Sequence, residues 1–247
     1  MTVLEEKLPA NKKIKIKKVI KTSLLDWEGM IVSTLYVDGC NFRCPFCYNV
    51  DLIENPPYLP AIPEEDILSF LKERKLFLDG ICLSGGEPTI YNDLPQFLKK
   101  IKNEGLKIKL DTNGSNPERL ADIIKQNLVD YIAMDIKNYL QPDVYIPTIG
   151  VKDDGIITNI KKSIELIMHT GIEYEFRTTV VPLFHDETAI MNIAREIKGA
   201  KQYVLQNFIN SEKLLDPNLK KVNPYSTEKI TELVRKAAVY VENCKKR

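Results

Sequence analysis

The sequence predicts an α/β fold built on a parallel β-sheet. Runs of β-forming residues alternate with apolar residues at helical spacing six times along the 247 residues. Alternation of this kind is typical of parallel strands joined by right-handed helical crossovers. The composition, 44% hydrophobic and 28% charged, is that of a globular domain. Six such units suit either an open, doubly wound sheet or most of a barrel.

Each element follows from a local pattern. The predicted strands of the sheet are residues 34–38, 80–84, 107–110, 131–133, 173–181 and 202–206. The predicted helices begin at Glu64 and Pro117 or span residues 94–103, 159–169, 188–197 and 227–241. Residues 94–103 show the apolar spacing most clearly, and Pro117 occupies a first helical position, where proline is tolerated. Prolines predict breaks at Asn55-Pro56-Pro57 and at residues 60–63, and an irregular loop through Pro142 and Pro147.

The segment before the first of these strands carries many lysines. Residues 13–21 read K-I-K-I-K-K-V-I-K, which predicts a strand whose lysines discourage pairing between sheet edges. The alternative is a docking patch for an acidic partner. Residues 22–29, which include Trp27, are predicted to form a loop. We expect a single domain, with residues 1–30 as an N-terminal appendage, 31–208 as the core and 209–247 as a C-terminal loop and helix.

Charge and cysteine content exclude several classes of protein. The formal net charge is +1, so no global field attracts nucleic acid. Five cysteines, an odd number and clustered, do not fit a secreted disulfide framework. Residues 1–11 lack the apolar segment of a signal peptide, and no apolar run approaches the roughly 20 residues of a membrane span. We expect a cytoplasmic protein with neither a membrane nor a nucleic-acid partner.

Three of the five cysteines fall within eight residues. Cys40, Cys44 and Cys47 are spaced C-x3-C-x2-C, and the other two cysteines lie far away in sequence. Three soft ligands with a vacancy suit an iron–sulfur cluster that has one open iron, or a zinc ion with an exchangeable position. The alternatives are a structural zinc site completed by a distant residue and three cysteines that only pack.

Further polar residues follow the predicted strands. The ends of the strands carry residues 40–47, Gly85-Gly86-Glu87, Asp111-Thr112-Asn113, Asp135-Ile136-Lys137 and Gln206-Asn207. The carboxyl ends of parallel strands meet at one rim of the sheet, where active sites of α/β folds assemble. The sequence therefore predicts a site at this rim.

The residue types suggest what such a site binds. Gly85 and Gly86 leave the backbone bare for close approach, and Glu87 adds a negative charge that suits an ammonium group. The frame is neither the G-x-S-x-G of a serine hydrolase nor the G-K-[ST] of a phosphate loop. Lys137 and Arg177 can pair with a carboxylate.

Oxygen donors and aromatic rings add to this set. Asp111, Thr112 and Asp135 offer oxygens to a sugar hydroxyl or a hard cation. Phe46 and Tyr48 can wall a cluster or stack on a purine, although core packing explains Phe46 equally well.

Histidine is scarce, with two residues in the chain. His169 lies at a predicted helix C-terminus, where a positive charge is favourable without any ligand. His185 lies in the loop after a strand and can face the site. Cys82 is predicted to pack inside a strand, and Cys244 to lie at the frayed end of the last helix. A catalytic triad or a histidine-rich zinc site is hard to build from these residues.

Taken together, these motifs resemble those of a known superfamily. The Cys40, Cys44 and Cys47 motif, with Phe46 before its last cysteine, resembles the cluster motif of the radical S-adenosylmethionine (SAM) superfamily. Gly85-Gly86-Glu87-Pro88 resembles its methionine-binding motif. Within the superfamily, residues 111–114, 135–137 and 177–182 resemble the glycyl-radical-enzyme activating enzymes. Residues 21–29 resemble the N-terminal segment of the activases of anaerobic ribonucleoside-triphosphate reductase.

The resemblance implies a fold, two cofactors and a reaction. The fold would be a partial (β/α)6 TIM-like barrel, and the three cysteines would hold a 4Fe-4S cluster whose open iron binds SAM. One electron from a flavodoxin or ferredoxin would cleave SAM to methionine and a 5′-deoxyadenosyl radical. That radical would take a hydrogen atom from a backbone glycine of a partner enzyme, with anaerobic ribonucleotide reductase as the suggested partner.

The resemblance also assigns residues to the cofactors. Gly85, Gly86 and Glu87 would hold the methionine end of SAM, and Lys137 and Arg177 its carboxylate or ribose. A monovalent cation would bind at Asp111, Thr112 and Asp135. The full set expected to contact the cofactors is Phe46, Cys47, Tyr48, Gly85, Gly86, Glu87, Thr112, Asn113, Asp135, Ile136, Lys137, Arg177 and Gln206.

The chain departs from the family pattern after the last strand. Some activases have a histidine there, where this chain has Gln206-Asn207-Phe208. It also lacks a second cysteine cluster, which excludes the activases with a ferredoxin-like insert as a guide. Two alternatives remain open: an enzyme acting on a small molecule, resembling 7-carboxy-7-deazaguanine synthase, and a non-catalytic zinc-binding module.

Overall fold

The computed structural model describes residues 13–54, 58–153 and 155–247. The predictions for residues 1–11 and for the break at Asn55-Pro56-Pro57 lie outside these residues. The strands are β1 (Ile16–Ser23), β2 (Val32–Val37), β3 (Gly80–Gly85), β4 (Lys107–Thr112), β5 (Tyr131–Asp135), β6 (Glu173–Val180), β7 (Tyr203–Asn207) and β8 (Cys244–Lys246). The helices are α1 (Val50–Glu54), α2 (Glu64–Arg74), α3 (Leu94–Asn103), α4 (Pro117–Lys125), α5 (Pro142–Ile149), α6 (Ile156–Met168), α7 (Glu187–Glu196) and α8 (Thr227–Ala237). None of the described helices has the length and apolar character needed to cross a membrane.

The described strands form one sheet in the order β1 to β8. Strands β2 to β8 run parallel, and β1 is antiparallel to β2. The sheet does not close, because β1 and β8 remain its two edges. The predicted α/β fold with a parallel, barrel-like sheet is confirmed. Because the strands are parallel, their carboxyl ends share one rim.

The two faces of the sheet differ in chemistry. In β4, Ile108 and Leu110 are fully buried in the main core, and they alternate with Lys109 and Asp111 on the other face. This period of two places a charged row on one face and an apolar layer on the other. The amphipathic helices cover the apolar layer; α3, for example, buries Phe97, Leu98 and Ile101 there. The charged row is left facing the concave side.

Both ends of the described chain contribute an edge strand. The lysine-rich segment forms β1, and its Val19 pairs with Leu35 of β2. At the other end, Tyr203 of β7 pairs with Cys244. The predictions for these ends were partly wrong: the last helix stops at Ala237, and Cys244 begins β8. Pairing with the backbone of β7 overrides the helical period of the local sequence there.

A second correction concerns the loop predicted through Pro142 and Pro147. These residues lie in helix α5, which ends at Gly150 with a left-handed φ of 67°. Pro142 is at the start of the helix, where its missing N–H has no intrahelical partner to lose. Pro147 has no N–H and forfeits one hydrogen bond within the helix. The end of the helix is held from outside, because Arg43 N–H donates to the Ile149 carbonyl at 2.8 Å.

The end of β3 packs closely against the end of β2 and the loop after it, mainly through backbone hydrogen bonds. Gly86 N–H donates to the Val37 carbonyl at 3.0 Å, and Glu87 N–H donates to the Gly39 carbonyl at 2.9 Å. A Cβ atom at Gly86 would lie 1.8 Å from the Gly39 oxygen. These two N–H groups are used within the protein, so contact between this backbone and a ligand, which stays a prediction, would have to involve its other groups.

We predict that Gly86→Ala lowers the free energy of unfolding by about 2 kcal/mol or more, because the methyl group has no space without a shift of the loop after β2. Gly171→Ala is the matched control, since a Cβ atom there meets nothing within 4 Å. Neither glycine has a positive φ, so the two substitutions differ only in packing. Urea denaturation of the metal-free proteins measures both. Equal stabilities for the two variants would contradict the assigned backbone contact.

Candidate active site

A cavity of about 730 Å³ opens at the carboxyl-terminal rim of the sheet. It collects side chains from the ends of β2 to β7. Of the residues predicted to form the site, those lining the cavity are Cys40, Cys44, Phe46, Cys47, Tyr48, Gly85, Gly86, Glu87, Asp111, Thr112, Asn113, Asp135, Lys137, Arg177 and Gln206. The structure therefore brings together side chains that the chain separates by up to 166 residues.

Ile136 is the predicted site residue that does not line this cavity. Its side chain is fully buried in the main core, and its backbone N–H donates to the Arg177 carbonyl at 2.8 Å. The alternation at the end of β5 explains the difference, because Asp135 and Lys137 point to the cavity and the residue between them points away. Its contribution is to hold the ends of β5 and β6 together.

Backbone hydrogen bonds, some of them from other segments of the chain, hold the cysteine loop (residues 40–47) in place. Cys47 N–H donates to the Cys44 carbonyl at 3.0 Å, which closes a tight turn between the two thiols. The Cys47 carbonyl in turn accepts from Leu215 N–H at 3.0 Å, and the Pro45 carbonyl accepts from Asp216 N–H at 2.9 Å. Segments distant in sequence thus hold the loop in place before any metal binds.

All three thiols are free and sit in an apolar environment. Burial raises the pKa of Cys40 and of Cys44 to about 12, and it raises the pKa of Cys47 as well. Without a metal these groups are therefore neutral thiols. The positive charge of Lys137 acts in the opposite direction on Cys44 and Cys47 and favours the thiolates that a metal requires.

The donor set is three cysteine sulfur atoms that line one cavity. Thiolates are the ligands that hold iron–sulfur clusters. The chemistry of the donor set therefore fits the cluster that the motif predicts.

Glu87 is an internal brace between two loops. Its side chain is almost fully buried and accepts four hydrogen bonds. The donors are Thr89 N–H at 3.0 Å, the Thr89 hydroxyl at 2.6 Å, the Thr112 hydroxyl at 2.8 Å and Asn113 N–H at 2.7 Å. The expectation of a free negative charge for an ammonium group is replaced by this role, since the donors hold both carboxylate oxygens. Glu87 joins the loop after β3 to the loop after β4.

Asn113 extends this brace to the cysteine loop. Its Nδ2 lies 3.8 Å from the Cys40 Sγ and donates to Asn41 Oδ1 at 2.9 Å. Phe42 N–H also donates to the Cys40 Sγ, at 3.3 Å. Hydrogen bonds of this kind tune the sulfur ligands of a metal centre. Asn113 therefore meets the cysteine loop directly.

Charged side chains alternate in sign along the cavity wall. Arg177 donates from Nε to Asp135 at 2.8 Å, and its Nη1 lies 3.2 Å from Asp111. Lys137 Nζ donates to the other oxygen of Asp135 at 3.0 Å. Burial alone would raise the pKa of Asp135, but Arg177 and Lys137 outweigh it and lower this pKa to about 2. The same partnership holds the pKa of Lys137 above its ordinary value despite burial. Asp135, Lys137 and Arg177 are therefore ionised at neutral pH.

The predicted cation site coincides with these contacts. Asp111 and Asp135 flank the guanidinium of Arg177, and the Thr112 hydroxyl donates to Glu87. Arg177 thus supplies the positive charge that a monovalent cation would bring.

Sequence reasoning missed the continuation of this row. Lys109 is buried between Asp111, at 3.6 Å, and Glu175, at 3.5 Å. Glu175 accepts two hydrogen bonds from Arg247, each 3.1 Å long. Lys109 and Glu175 each stand two residues before a predicted site residue in the same strand. The period of two could have revealed that they share the concave face.

The aromatic residues divide into one buried and one exposed ring. Phe46 packs against Phe184, with ring centroids 5.7 Å apart, and is buried, so core packing is its main role. Tyr48 is 60% exposed at the cavity mouth. Leu25 and Ile209 also line the cavity and are 83% and 70% exposed. Large exposed side chains from three segments therefore border the open side of the cavity.

The loop predicted at residues 22–29 begins two residues later, because β1 extends to Ser23. Residues 24–29 lie over the concave face. Trp27 packs on Tyr131 of β5, with ring centroids 5.7 Å apart, and Lys109 donates to the Asp26 carbonyl. Glu28 forms an ion pair with Lys245 of β8, so the loop reaches from one edge strand to the other. Its residues Leu25, Asp26 and Glu28 line the cavity.

Comparison with known proteins agrees with this site. The family model described as the radical SAM superfamily matches residues 34–197. A protein of Methanocaldococcus jannaschii with the provisional name glycyl-radical enzyme activating enzyme is 31% identical over 231 residues, covering 92% of this chain and 93% of that protein. The pyruvate formate-lyase-activating enzyme of Clostridium pasteurianum is 27% identical, covering 89% of this chain and 94% of that protein.

Solved structures show the same fold. The Streptococcus suis protein SuiB bound to S-adenosylmethionine superimposes with a TM-score of 0.64 at 16% identity, covering 83% of this chain and 48% of that one. TYW1 with a lysine-pyruvate adduct gives a TM-score of 0.62 at 15% identity, covering 85% of this chain and 74% of that one. The family match spans the strands that carry the cysteine motif and the charged wall of the cavity. The chain therefore belongs to the radical SAM superfamily and, within it, to the glycyl-radical-enzyme activating enzymes.

Proposed function

We propose that this enzyme generates a glycyl radical on a partner protein. The superfamily implies a 4Fe-4S cluster and SAM; the bound cluster supplies the electron that cleaves SAM to methionine and a 5′-deoxyadenosyl radical, which takes a hydrogen atom from the partner's glycine. The observation that carries the proposal is that one cavity holds both the three cysteines and the charged group around Lys137 and Arg177. Cys40, Cys44 and Cys47 would hold the cluster.

The chain's own residues have donors and acceptors to spare for SAM. Lys137 Nζ has three N–H donors and uses one on Asp135, so it can bind a carboxylate. Asp111 Oδ1 is buried and, among the described residues, accepts no hydrogen bond, although Lys109 lies 3.6 Å away. An acceptor of this kind favours a ribose hydroxyl or an amine as its donor. Arg177 holds Asp111 and Asp135 in place, so it orients both groups.

A monovalent cation is not needed in this proposal. It would compete with Arg177 and Lys137 for both carboxylate oxygens of Asp135, and with Arg177 for one oxygen of Asp111. Gln206 lines the cavity and can supply an amide where some activases have a histidine. Tyr48, at the mouth, is placed to cover the adenine.

The size of the cavity supports a protein substrate. A cavity of about 730 Å³ falls within the roughly 300–1,000 Å³ that holds one drug-sized ligand. SAM and a cluster would fill most of that volume, so the second substrate must approach from the mouth. Leu25, Tyr48 and Ile209 offer exposed apolar surface there, which suits a polypeptide loop.

The proposal also includes a partner enzyme and an electron donor. Residues 21–29, which resemble a segment of the activases of anaerobic ribonucleotide reductase, include three residues that line the cavity. We therefore propose anaerobic ribonucleotide reductase as the first partner to test. A flavodoxin or a ferredoxin would be the donor of the electron.

The first prediction tests the cluster. We expect anaerobically reconstituted wild-type protein, reduced with dithionite in the presence of the partner, to cleave SAM to 5′-deoxyadenosine. Cys44→Ala should lose this activity by at least a hundredfold, because removing one of three ligands leaves the cluster with two. Chromatography of 5′-deoxyadenosine, with iron analysis of both proteins, gives the measurement.

Cys244→Ala is the matched control, because Cys244 lies in β8 and is absent from the residues that line the cavity. It should keep its iron and its activity. Full cleavage by Cys44→Ala, or an iron-free wild type that binds zinc instead, would overturn the proposed function.

The second prediction tests the protein substrate. Leu25→Glu and Ile209→Glu should lower glycyl-radical formation on the partner at least tenfold, because each places a charge in an apolar contact. SAM cleavage without the partner should stay within about twofold of wild type, since neither residue contacts the charged wall. Electron paramagnetic resonance counts the radicals on the partner.

Leu76→Glu serves as the matched control, because Leu76 is 91% exposed and does not line the cavity. It should activate the partner normally. Unchanged activation by both rim variants would rule out the rim as the contact surface. Many turnovers of a small molecule in the absence of any partner would favour the alternative enzyme class.

A further inference from the structure

His185 is the one fully buried histidine among the described residues, and the reaction proposed above does not use it. It lies in the loop between β6 and α7. Val181 N–H donates to its Nδ1 at 3.0 Å, and its Nε2 lies 2.7 Å from the Lys137 carbonyl. Because Nδ1 accepts, Nε2 carries the hydrogen and donates to Lys137. The neighbouring atoms thus fix the tautomer.

The environment keeps this imidazole neutral. Burial lowers the pKa of His185 to about 4. Protonation would also place a second hydrogen on Nδ1, which would break the bond from Val181 N–H. His185 is therefore neutral near pH 7 and acts as a fixed donor and acceptor.

The contacts of the ring reach the cysteine loop and the loop after β5. Phe46, which precedes Cys47, packs edge-on against the imidazole with ring centroids 6.4 Å apart. Tyr225 donates from its hydroxyl to the His185 carbonyl at 3.1 Å, which holds the histidine from behind. Asn138, which follows Lys137, donates to the Phe184 carbonyl at 3.1 Å. The loops after β5 and β6 are thus joined by two adjacent hydrogen bonds.

We infer that His185 is a positioning residue, which fixes the backbone of Lys137 so that the Lys137 ammonium is aimed at the carboxylate of SAM. The inference rests on the proposed function, because it takes Lys137 as a SAM contact. The Lys137 side chain branches from the Cα atom that is bonded to the carbonyl carbon, and His185 binds the oxygen of that carbonyl. Its ammonium must meet Asp135 and the ligand at the same time.

Three substitutions separate the hydrogen bonds from the ring. His185→Gln can keep a donor at the position of Nε2, His185→Asn can keep an acceptor at the position of Nδ1, and His185→Phe keeps a ring without either. We expect Asn and Phe to weaken SAM binding about tenfold, as expected for a lost buried hydrogen bond, and Gln to stay within about threefold of wild type. The kcat at saturating SAM should change less than the KM.

The readouts are equilibrium dialysis of SAM with the cluster-loaded proteins, iron per chain and thermal unfolding. His169→Gln is the matched control, because His169 is exposed and binds the Glu165 carbonyl within its own helix. It should bind SAM normally. If His185→Phe does not fold, the comparison of Gln with Asn carries the test alone.

Three results would overturn the inference: wild-type affinity in both Asn and Phe, equal weakening in all three variants, or loss of iron in place of loss of SAM affinity. Wild-type affinity in Asn and Phe would mean that His185 has no role in SAM binding. Equal weakening in all three variants would mean that it only packs, and loss of iron would mean that it acts on the cysteine loop. Lys137→Ala distinguishes this failure from that of the proposed site. Normal SAM affinity in Lys137→Ala would refute the assigned SAM contact, whereas weak binding there with normal binding in His185→Asn would refute the positioning role alone.

Discussion

The concave face of the sheet depends on a row of charges that alternate in sign, of which Lys109, Glu175 and Arg177 are buried. Each charge neutralises the next, and isolated members would be costly because an unpaired buried charge loses its hydration. The row, from β8 to the loop after β5, is Arg247, Glu175, Lys109, Asp111, Arg177, Asp135 and Lys137. A shift of one residue in the register of any strand would turn its charges to the apolar layer. The pairing therefore constrains the register of the sheet as much as the core does.

The two ends of this row of charges act on different parts of the structure. Arg247 forms an ion pair with Glu175 and so connects the edge strand β8 to β6. Burial acts to raise the pKa of Glu175, but Lys109, Arg177 and Arg247 lower it to about 2. Lys137, at the other end, acts on the thiols of Cys44 and Cys47. Four positive charges alternate with three negative ones, so the row ends in a positive charge beside the cysteines. That positive charge favours thiolates at Cys44 and Cys47 and an anionic group on a bound ligand.

Much of the site could be predicted from sequence, because parallel strands bring their carboxyl ends to one rim. Cys40, Asp111 and Asp135 are far apart in the chain, yet this rule alone places them together. What could not be predicted depends on tertiary contacts. The strand at Cys244 depends on the edge of β7 with which it pairs, and the end of α5 is held by Arg43 of the cysteine loop.

The motif Gly85-Gly86-Glu87 shows a different limit of sequence reasoning. The residue types predicted direct contact with a ligand. In the structure Gly86 packs closely against backbone, and the carboxylate of Glu87 accepts four hydrogen bonds from within the protein. A sequence motif shows which residues are present but not whether their polar groups bind a ligand or other parts of the protein. The hydrogen bonds in the structure distinguish the two roles.

The residues of the site fall into two sets, according to whether their hydrogen-bonding groups are already used within the protein. Glu87 and Asn113 are satisfied within the protein, so they hold the loops in place and need not move when a ligand arrives. Lys137 and Asp111 keep spare donors or acceptors, and among the described residues Asp111 Oδ1 accepts no hydrogen bond. Ligand binding can therefore satisfy groups that folding leaves unpaired while the satisfied set stays fixed. A site built in this way loses little conformational entropy on binding, and a short-lived radical would meet an enclosure that is already ordered.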